Sequence, residues 1–463
     1  MKVVFLLLVA AAAVLGYAVM LYPPKFVLVG LFVAAVGVVT VFKPGYAMVL
    51  LVFSMMLSPE ISLGEVGRGR SLIIRYDDIL LVSVALAWML RAGLVKKDAG
   101  FLEVTPVHLP IFFYMCIYII STGLAQMRGT VQPLKSTFFT LKYIEYFVLF
   151  FMTYNVVRTR DDVKFLLKCG LATAVIVSIY AYWFHFTTGQ QATAPFETAL
   201  GEAANDGGEP GSLGGYYLVV FGVFMGIVDQ GGFGWARVAL ISLLSMLPAF
   251  MYTLSRASLL GLIGQFGGLL SFGKRKLPVA AGLLVLFVAF FSIDALKNPV
   301  SARVAMTTQG AKNRQLHEFR MPVLGYTVQL EDSAAQRVEA WQRVLEQRLP
   351  KHPLLGHGAT GIGFEDTQYG LILGEFGLVG LFVFFWMNYK IFEVGMRLYR
   401  IGDEPWMRGV GLGTMLVVGG LLLQSFTSNT FIIVRIMQPF WFLVALTCRL
   451  YALSAEGHEQ RTA

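Results

Sequence analysis

Uninterrupted apolar runs recur along almost the whole chain, and they constrain its fold more than any other feature. Each run is about 17–23 residues long, the length that a helix needs to cross the hydrocarbon core of a bilayer. Strands of a membrane β-barrel would instead alternate apolar and polar residues. Only 14% of the 463 residues are charged, whereas soluble domains are about 25% charged. The sequence therefore predicts an all-α polytopic membrane protein.

The spacing of these runs predicts about fourteen transmembrane helices. The first run, from Val3 to about Leu21, is longer than the roughly 7–15 apolar residues of a signal peptide, and Tyr22-Pro23-Pro24 follows it instead of a small-residue cleavage site. We therefore predict that it is a retained first helix. The predicted helices start near Val3, Phe26, Tyr46, Asp77, Leu109, Phe138, Phe165, Leu213, Val238, Ala257, Leu277, Gln368, Gly409 and Phe431.

A polar segment, residues 294–367, divides the chain into three parts. Residues 1–293 hold about eleven of the predicted spans, and residues 368–463 hold about three more and a tail. The segment between them is predicted to be one large extracytoplasmic loop. Apolar residues recur within it at helical spacing, which predicts an amphipathic helix lying against the outer face of the bundle. These residues are Val338, Trp341, Val344, Leu345 and Leu349, and Pro350 and Pro353 follow them.

The distribution of Lys and Arg predicts the orientation, because short cytoplasmic loops carry an excess of these residues. One set of alternate loops is rich in them, and we assign it to the cytoplasm together with both termini. The opposite set contains the acidic segment 197–209 and two long connections, residues 188–212 and 294–367. Three basic residues in this set, Arg68, Arg70 and Arg75, are exceptions to the charge rule. The basic set contains Arg91, Lys96, Lys97, Arg158, Arg160, Lys164, Arg237, Lys274, Arg275, Lys276, Arg397, Arg400 and Arg408.

Ionisable residues within or beside the predicted spans are candidate functional groups, because charge in a bilayer normally faces a partner or a cavity. Lys142 and Glu145 share a helix face and either pair with each other or line a site. Arg256 and Arg435 either extend towards the outer interface or bind an anion. The basic outer loop, which contains Arg337, is likewise either a solvated surface or an anion-binding surface.

Other chemistries are not indicated. The chain has no His-Glu-x-x-His motif and no Cys/His cluster, and its three cysteines fall inside predicted spans, so we predict no metal and no cofactor. The net charge of +9 comes from loops that flank spans, which indicates topology and not nucleic-acid binding. The Gly-rich segment 352–363 predicts tight, exposed turns, and Glu365 and Asp366 follow it at the mouth of the next span.

Several separated motifs together resemble the bacterial O-antigen ligase and polysaccharide polymerase superfamily. They include the span-opening segment 255–258 and the lysine-containing segment 141–146. The chain departs from the ligases, which typically carry His-Asn where this sequence has Asp366-Thr367, and it is more similar to the polymerases there. The other motifs are Arg337-x-x-x-Trp341, His352-Pro353-Leu354-x-Gly356-x-Gly358, Asp366-x-Gln368-Tyr369 and Gly377-Leu378-Val379-Gly380-Leu381.

The resemblance implies a metal-independent, GT-C-like glycosyltransferase in the bacterial inner membrane. Its donor would be a glycan on undecaprenyl pyrophosphate, and its further partners a glycan acceptor, membrane lipids and a chain-length regulator protein. Basic side chains would stabilise the charge that develops on the departing pyrophosphate: Arg256 and Arg337 are the first candidates, Arg435 is the third, and Lys142 is a further substrate-binding candidate. The general base for the acceptor hydroxyl would be Asp366, with Glu365, His352 and His357 as alternatives.

Three other functions remain open from the sequence alone. The first is an O-antigen ligase that transfers the glycan to lipid A-core. The second is a transporter or flippase of an anionic lipid-linked substrate, which would explain the basic rim but not an ordered loop helix followed by glycines and carboxylates. The third is a structural membrane subunit.

Overall fold

Helices form almost all of the chain that the computed structural model describes, namely residues 24–65, 71–94, 103–197, 209–231, 233–276, 317–320, 327–330, 332–363 and 367–462. Two short antiparallel hairpins accompany them: β1 (Glu60–Glu65) pairs with β2 (Ser71–Arg75), and β3 (His317–Arg320) pairs with β4 (Thr327–Leu330). The helices are α1 (Pro24–Phe42), α2 (Pro44–Leu57), α3 (Tyr76–Leu94), α4 (His108–Met127), α5 (Pro133–Val156), α6 (Arg160–Thr188), α7 (Pro210–Gln230), α8 (Phe233–Tyr252), α9 (Arg256–Phe272), α10 (Asp332–Gln342), α11 (Gln368–Ile401), α12 (Pro405–Gln424) and α13 (Val434–Thr462).

Seven of these helices are long and apolar enough to cross a membrane: α4, α6, α7, α8, α11, α12 and α13. The apolar stretches of α1 and α2 are shorter. The prediction of an all-α, multi-pass membrane protein is therefore confirmed for the described part of the chain. The number of about fourteen spans and the extracytoplasmic position of the large loop stay predictions.

The predicted starts of the spans agree with the helices. Each predicted start that falls on a described residue lies within about five residues of the first residue of a helix. Those near Val3 and Leu277 lie outside the described residues. Proline occupies the first turn of α2, α5, α7 and α12, where its missing N–H leaves no helical hydrogen bond unmade.

The centre of the bundle is formed by α7 and α12, which pack closely along their lengths. Their contact depends on glycine: a Cβ atom on Gly226 would lie 2.2 Å from the Gly409 carbonyl oxygen, and one on Gly413 would lie 2.6 Å from the Val223 Cα. Small residues at a helix interface allow the two backbones to approach closely. The absence of side chains at these glycines therefore allows α7 and α12 to lie in direct backbone contact.

The helix predicted in the large loop is present as α10, which continues into a π-helical turn, Arg343–Arg348, that the sequence did not indicate. Val344 is completely buried and packs with Ile362, Leu371 and Leu373. The loop helix therefore rests on the start of α11.

Truncation of Val344 should release this segment. We expect Val344→Ala to cost about 1–2 kcal/mol, because buried methyl groups are lost, and to raise the rate at which a protease cleaves between residues 332 and 363. Leu345→Ala is the matched control, because the neighbouring Leu345 is 48% exposed. Equal cleavage rates in the two variants would mean that α10 is not held by this contact.

Candidate functional site

Polar groups from distant parts of the chain meet at one end of the bundle, here called the loop end. It contains the ends of α2, α4, α6, α8 and α12 and the starts of α3, α5, α7, α9, α11 and α13. Contacts across it join these connections: the Ala192 amide donates to the Tyr252 carbonyl at 2.9 Å, and an Arg128 Nη1 atom lies 3.4 Å from the His352 ring. Residues far apart in sequence therefore form one surface.

The glycine-rich segment packs into a break in α11. The helix leaves helical geometry at Gly377, where φ is +67°, and the freed amides of Leu378 and Val379 donate to the carbonyls of Pro353 and Leu354 at 2.9 and 3.2 Å. A Cβ atom on Gly377 would lie 2.4 Å from the Leu354 oxygen. The motif at residues 352–358 and the motif at residues 377–381 therefore pack directly against each other.

The same segment is fastened to α4 as well. Ser121 donates to the carbonyls of Leu355 and Glu375, and the Gly358 amide donates to the Glu375 carbonyl at 2.8 Å. Gly356 and Gly358 are buried. The prediction of exposed turns was therefore wrong for these glycines, because the turns are covered by α4 and α11.

A short connection between α12 and α13, residues 425–433, contacts two further motifs; we call it the α12–α13 turn. The Gln368 amide donates to the Ser425 carbonyl at 3.3 Å, and the Gln368 side chain accepts from the Phe431 amide at 2.8 Å. Tyr146 donates to the Ile432 carbonyl at 3.3 Å. Next to the turn, the Gln424 side chain donates to Ser258 at 3.2 Å.

Arg256 is the first residue of α9 and is half-buried at the loop end. Ser255 caps this helix by accepting from the Ser258 amide at 3.3 Å. The N-terminus of a helix carries partial positive charge and favours anions. The guanidinium of Arg256 therefore adds its charge to an end of a helix that already attracts an anion.

Arg435 does not extend towards the interface, and that sequence-based alternative was wrong. Its side chain is 2% exposed and binds Glu60 through Nη2 at 2.9 Å and the Met56 carbonyl through Nη1 at 3.0 Å. A Glu197 carboxylate oxygen lies 4.0 Å from the Nε atom of Arg435. Burial raises the pKa of Glu197 to about 8, although the Arg435 charge opposes the shift.

Lys142 forms the predicted ion pair with Glu145 at 3.5 Å, and it also contacts Asp78 more closely. Arg75 is buried and binds Asp77 at 3.0 Å. This pairing explains why Arg75 breaks the charge rule for its loop: its charge is neutralised inside the protein. The other two exceptions, Arg68 and Arg70, lie outside the described residues.

The remaining predicted site residues divide into two groups. Glu365 and Asp366 lie outside the described residues. Arg337 is half-buried on α10. His352 is half-buried beside the ring of His357, 4.8 Å away. Loss of solvent contact, together with the nearby Arg128 charge, lowers the pKa of His352, so its imidazole is neutral and able to accept a proton at neutral pH.

Several polar residues of the loop end were missed by the sequence reasoning, namely Glu60, Asp77, Asp78 and Gln438. The available signal was Tyr76-Asp77-Asp78 at the start of an apolar run, because two carboxylates at a span boundary are costly without partners. Among the described residues, no group of three or more His, Cys, Asp or Glu side chains is arranged to hold a metal ion.

The fold and the polar loop end define the class: a multi-pass helical membrane protein with a charged, tightly packed site at one end of its bundle. No protein-family model matches the chain, and no curated protein sequence matches it.

Proposed function

We propose that the protein is a membrane glycosyltransferase that polymerises oligosaccharide repeat units linked to undecaprenyl pyrophosphate. The observation that supports this proposal is the meeting of the motif segments at the loop end. The glycine-rich turn locks into the break at Gly377, and Gln368, Tyr146 and Ser258 hold the α12–α13 turn or its border. Segments that resemble one family in sequence are thus also neighbours in space.

The charge on the departing lipid pyrophosphate requires fixed cations, because positioned donors lower the barrier most where charge develops. Arg435 and Lys142 bind buried carboxylates of other helices or strands, and we assign them to holding these elements together. We assign the pyrophosphate to Arg256, at the positive end of α9, and to Arg337, on the loop helix. The guanidinium fork suits the paired oxygens of such a group.

The acceptor hydroxyl loses a proton as it attacks the anomeric carbon, and the bond from that carbon to the pyrophosphate oxygen breaks. A general base accelerates this step when its pKa is near the working pH. Asp366 and Glu365 are the carboxylate candidates. His352 is the candidate whose surroundings are described, and its lowered pKa keeps it in the accepting form.

The decisive experiment is to incubate the purified protein with lipid-linked repeat units and to size the products. Glycans of several repeat units would support a polymerase. Transfer of a glycan to lipid A-core, and to no other acceptor, would indicate the ligase alternative. The absence of any covalent product would contradict both, and uptake of the labelled lipid into vesicles would then test the transporter alternative.

We further propose that the loop end faces the outside of the bacterial inner membrane. The opposite end carries ion pairs and caps that involve many basic residues: Arg160 binds Asp403 at 2.5 Å, and Lys164 binds Glu404 at 3.2 Å. The backbone amides of Lys274 and Arg275 are held there by Asp229. An excess of Lys and Arg in short loops marks the cytoplasmic side.

Cysteine labelling tests this orientation. In a variant with Cys116, Cys169 and Cys448 replaced by alanine, Lys351→Cys at the loop end should react with a membrane-impermeant maleimide in intact cells. Asp161→Cys, whose side chain is 93% exposed at the opposite end, should react only after permeabilisation. The reverse pattern would invert the topology and move the proposed reaction to the cytoplasm.

A further inference from the structure

A second polar centre lies deeper than the candidate arginines, where β2, α3, α5 and α13 meet. The glycosyl-transfer proposal does not use it. Lys142 on α5 contacts Asp78 on α3 and lies 3.5 Å from Glu145, and Gln438 on α13 donates to Glu145 at 3.4 Å. The other groups that face this centre are Arg75 and Asp77, the phenols of Tyr143 and Tyr146, and the more distant Arg435 with Glu60 and Glu197.

The charges in this centre do not balance when every group is ionised. Arg75 neutralises Asp77, but among the side chains of the described residues only Lys142 forms ion pairs with Asp78 and Glu145. Asp78 is 7% exposed and the Glu145 side chain 11%. An uncompensated carboxylate in such surroundings is strongly disfavoured, and the group takes up a proton instead.

The geometry also requires a hydrogen atom that ionised groups do not supply. The carboxyl groups of Asp78 and Glu145 both contact the Lys142 ammonium group and therefore lie near each other, although two carboxylates have only acceptors. The second oxygen of Asp78 and the amide oxygen of Gln438 are buried acceptors that meet no donor among the described residues. Buried polar atoms normally have a partner, and one proton on the carboxyl pair provides the missing donor.

We propose that Asp78, Lys142 and Glu145 form a proton-binding site, in which the two carboxyl groups share one exchangeable proton at neutral pH. Two carboxyl groups that face each other commonly behave in this way, because both cannot ionise at such a distance. Loss of the proton leaves an excess negative charge between α3, α5 and α13. The site therefore links the protonation state to the packing of these three helices.

The test is infrared difference spectroscopy of the full-length protein in detergent, titrated from about pH 5 to pH 9. The wild type should show the C=O band of a protonated carboxyl group at neutral pH, and the band should shift in deuterated water. Asp78→Asn and Glu145→Gln should each abolish this component, because Lys142 then neutralises the one carboxylate that remains. Lys142→Met should have the opposite effect: the pH at which the band disappears should rise by about one unit or more.

Glu393→Gln is the matched control, because Glu393 also lies on a helix but is bound by both Lys390 and Arg397. It should leave the band unchanged. A wild-type spectrum without a titrating carboxyl band would overturn the proposal, as would a band that survives both Asp78→Asn and Glu145→Gln. All of these spectra are recorded on a Glu197→Gln background, because Glu197, whose pKa is raised to about 8, would add a protonated carboxyl band of its own. The titration of this parent and of its Lys142→Met variant decides the question even if a carboxyl variant does not fold.

Discussion

Replacement of Arg256 or Arg337 by lysine should lower the turnover of lipid-linked donor by about tenfold or more, which corresponds to about 1.4 kcal/mol of transition-state stabilisation. Lysine keeps the charge but loses the fork that binds two oxygens at once, so the change is not conservative at a pyrophosphate site. If both side chains grip one pyrophosphate, the double variant should lose much less than the product of the two single losses. Steady-state kinetics on purified lipid-linked donor measures all three variants.

Arg343→Lys is the matched control for this experiment. Arg343 follows α10 on the same loop segment, and its side chain is 43% exposed and lies 3.6 Å from Glu339. Surface pairs of this kind contribute little, so this variant should retain nearly wild-type turnover. Near-wild-type rates for both Arg256→Lys and Arg337→Lys would remove these arginines from the site and, with them, the main chemical support for glycosyl transfer.

The helices could be predicted from the sequence because the signal for a membrane span is local. A run of about 20 apolar residues is sufficient to identify one, so the starts of α3, α9 and α11 were predicted within one residue. The loop helix was predicted by the same kind of periodicity. Its π-helical turn at Arg343–Arg348 was not, because that turn depends on how Val344 packs against α11.

The partners of the charged residues could not be predicted, because they are distant in the sequence. Arg435 binds Glu60, which is 375 positions away, and Lys142 contacts Asp78 on another helix. The pair formed by Lys142 and Glu145 could be predicted, because residues three apart share a helix face. A sequence shows that a buried charge needs a partner, but only the packing of the helices identifies that partner.

The glycine motifs illustrate the same limit. A glycine-rich stretch predicts turns but not whether those turns are exposed or buried. In the structure, residues 353–358 fill the break in α11, and the backbone amides and carbonyls of the two segments form hydrogen bonds with each other. The glycines at these positions therefore meet a requirement for close backbone packing.

Gly377→Ala should consequently be among the most destabilising single substitutions in the protein. The backbone at Gly377 has φ +67° and ψ −166°, a combination that is essentially restricted to glycine and costs a residue with a Cβ atom about 1–3 kcal/mol. The added Cβ would also lie 2.4 Å from the Leu354 oxygen and 2.7 Å from the Pro353 oxygen, and overlap of this kind costs about 1–3 kcal/mol more. Thermal unfolding in one fixed detergent should show a large loss of stability, and activity should fall because the turn carrying His352 is displaced.

Substitutions at two other glycines distinguish the cost of the backbone conformation at Gly377 from the cost of the Cβ overlap. Gly363 has φ +83°, and a Cβ atom added there would meet no atom of the described residues within 4 Å, so Gly363→Ala should show the conformational cost alone, about 1–2 kcal/mol. Gly419 lies within α12 with ordinary helical geometry and open space around it, so Gly419→Ala should be neutral or stabilising by up to about 1 kcal/mol. If Gly377→Ala unfolds at the same temperature as Gly363→Ala, the glycine-rich turn does not occupy the break in α11, and the motifs of the loop end are not held together in the way that the proposed function requires.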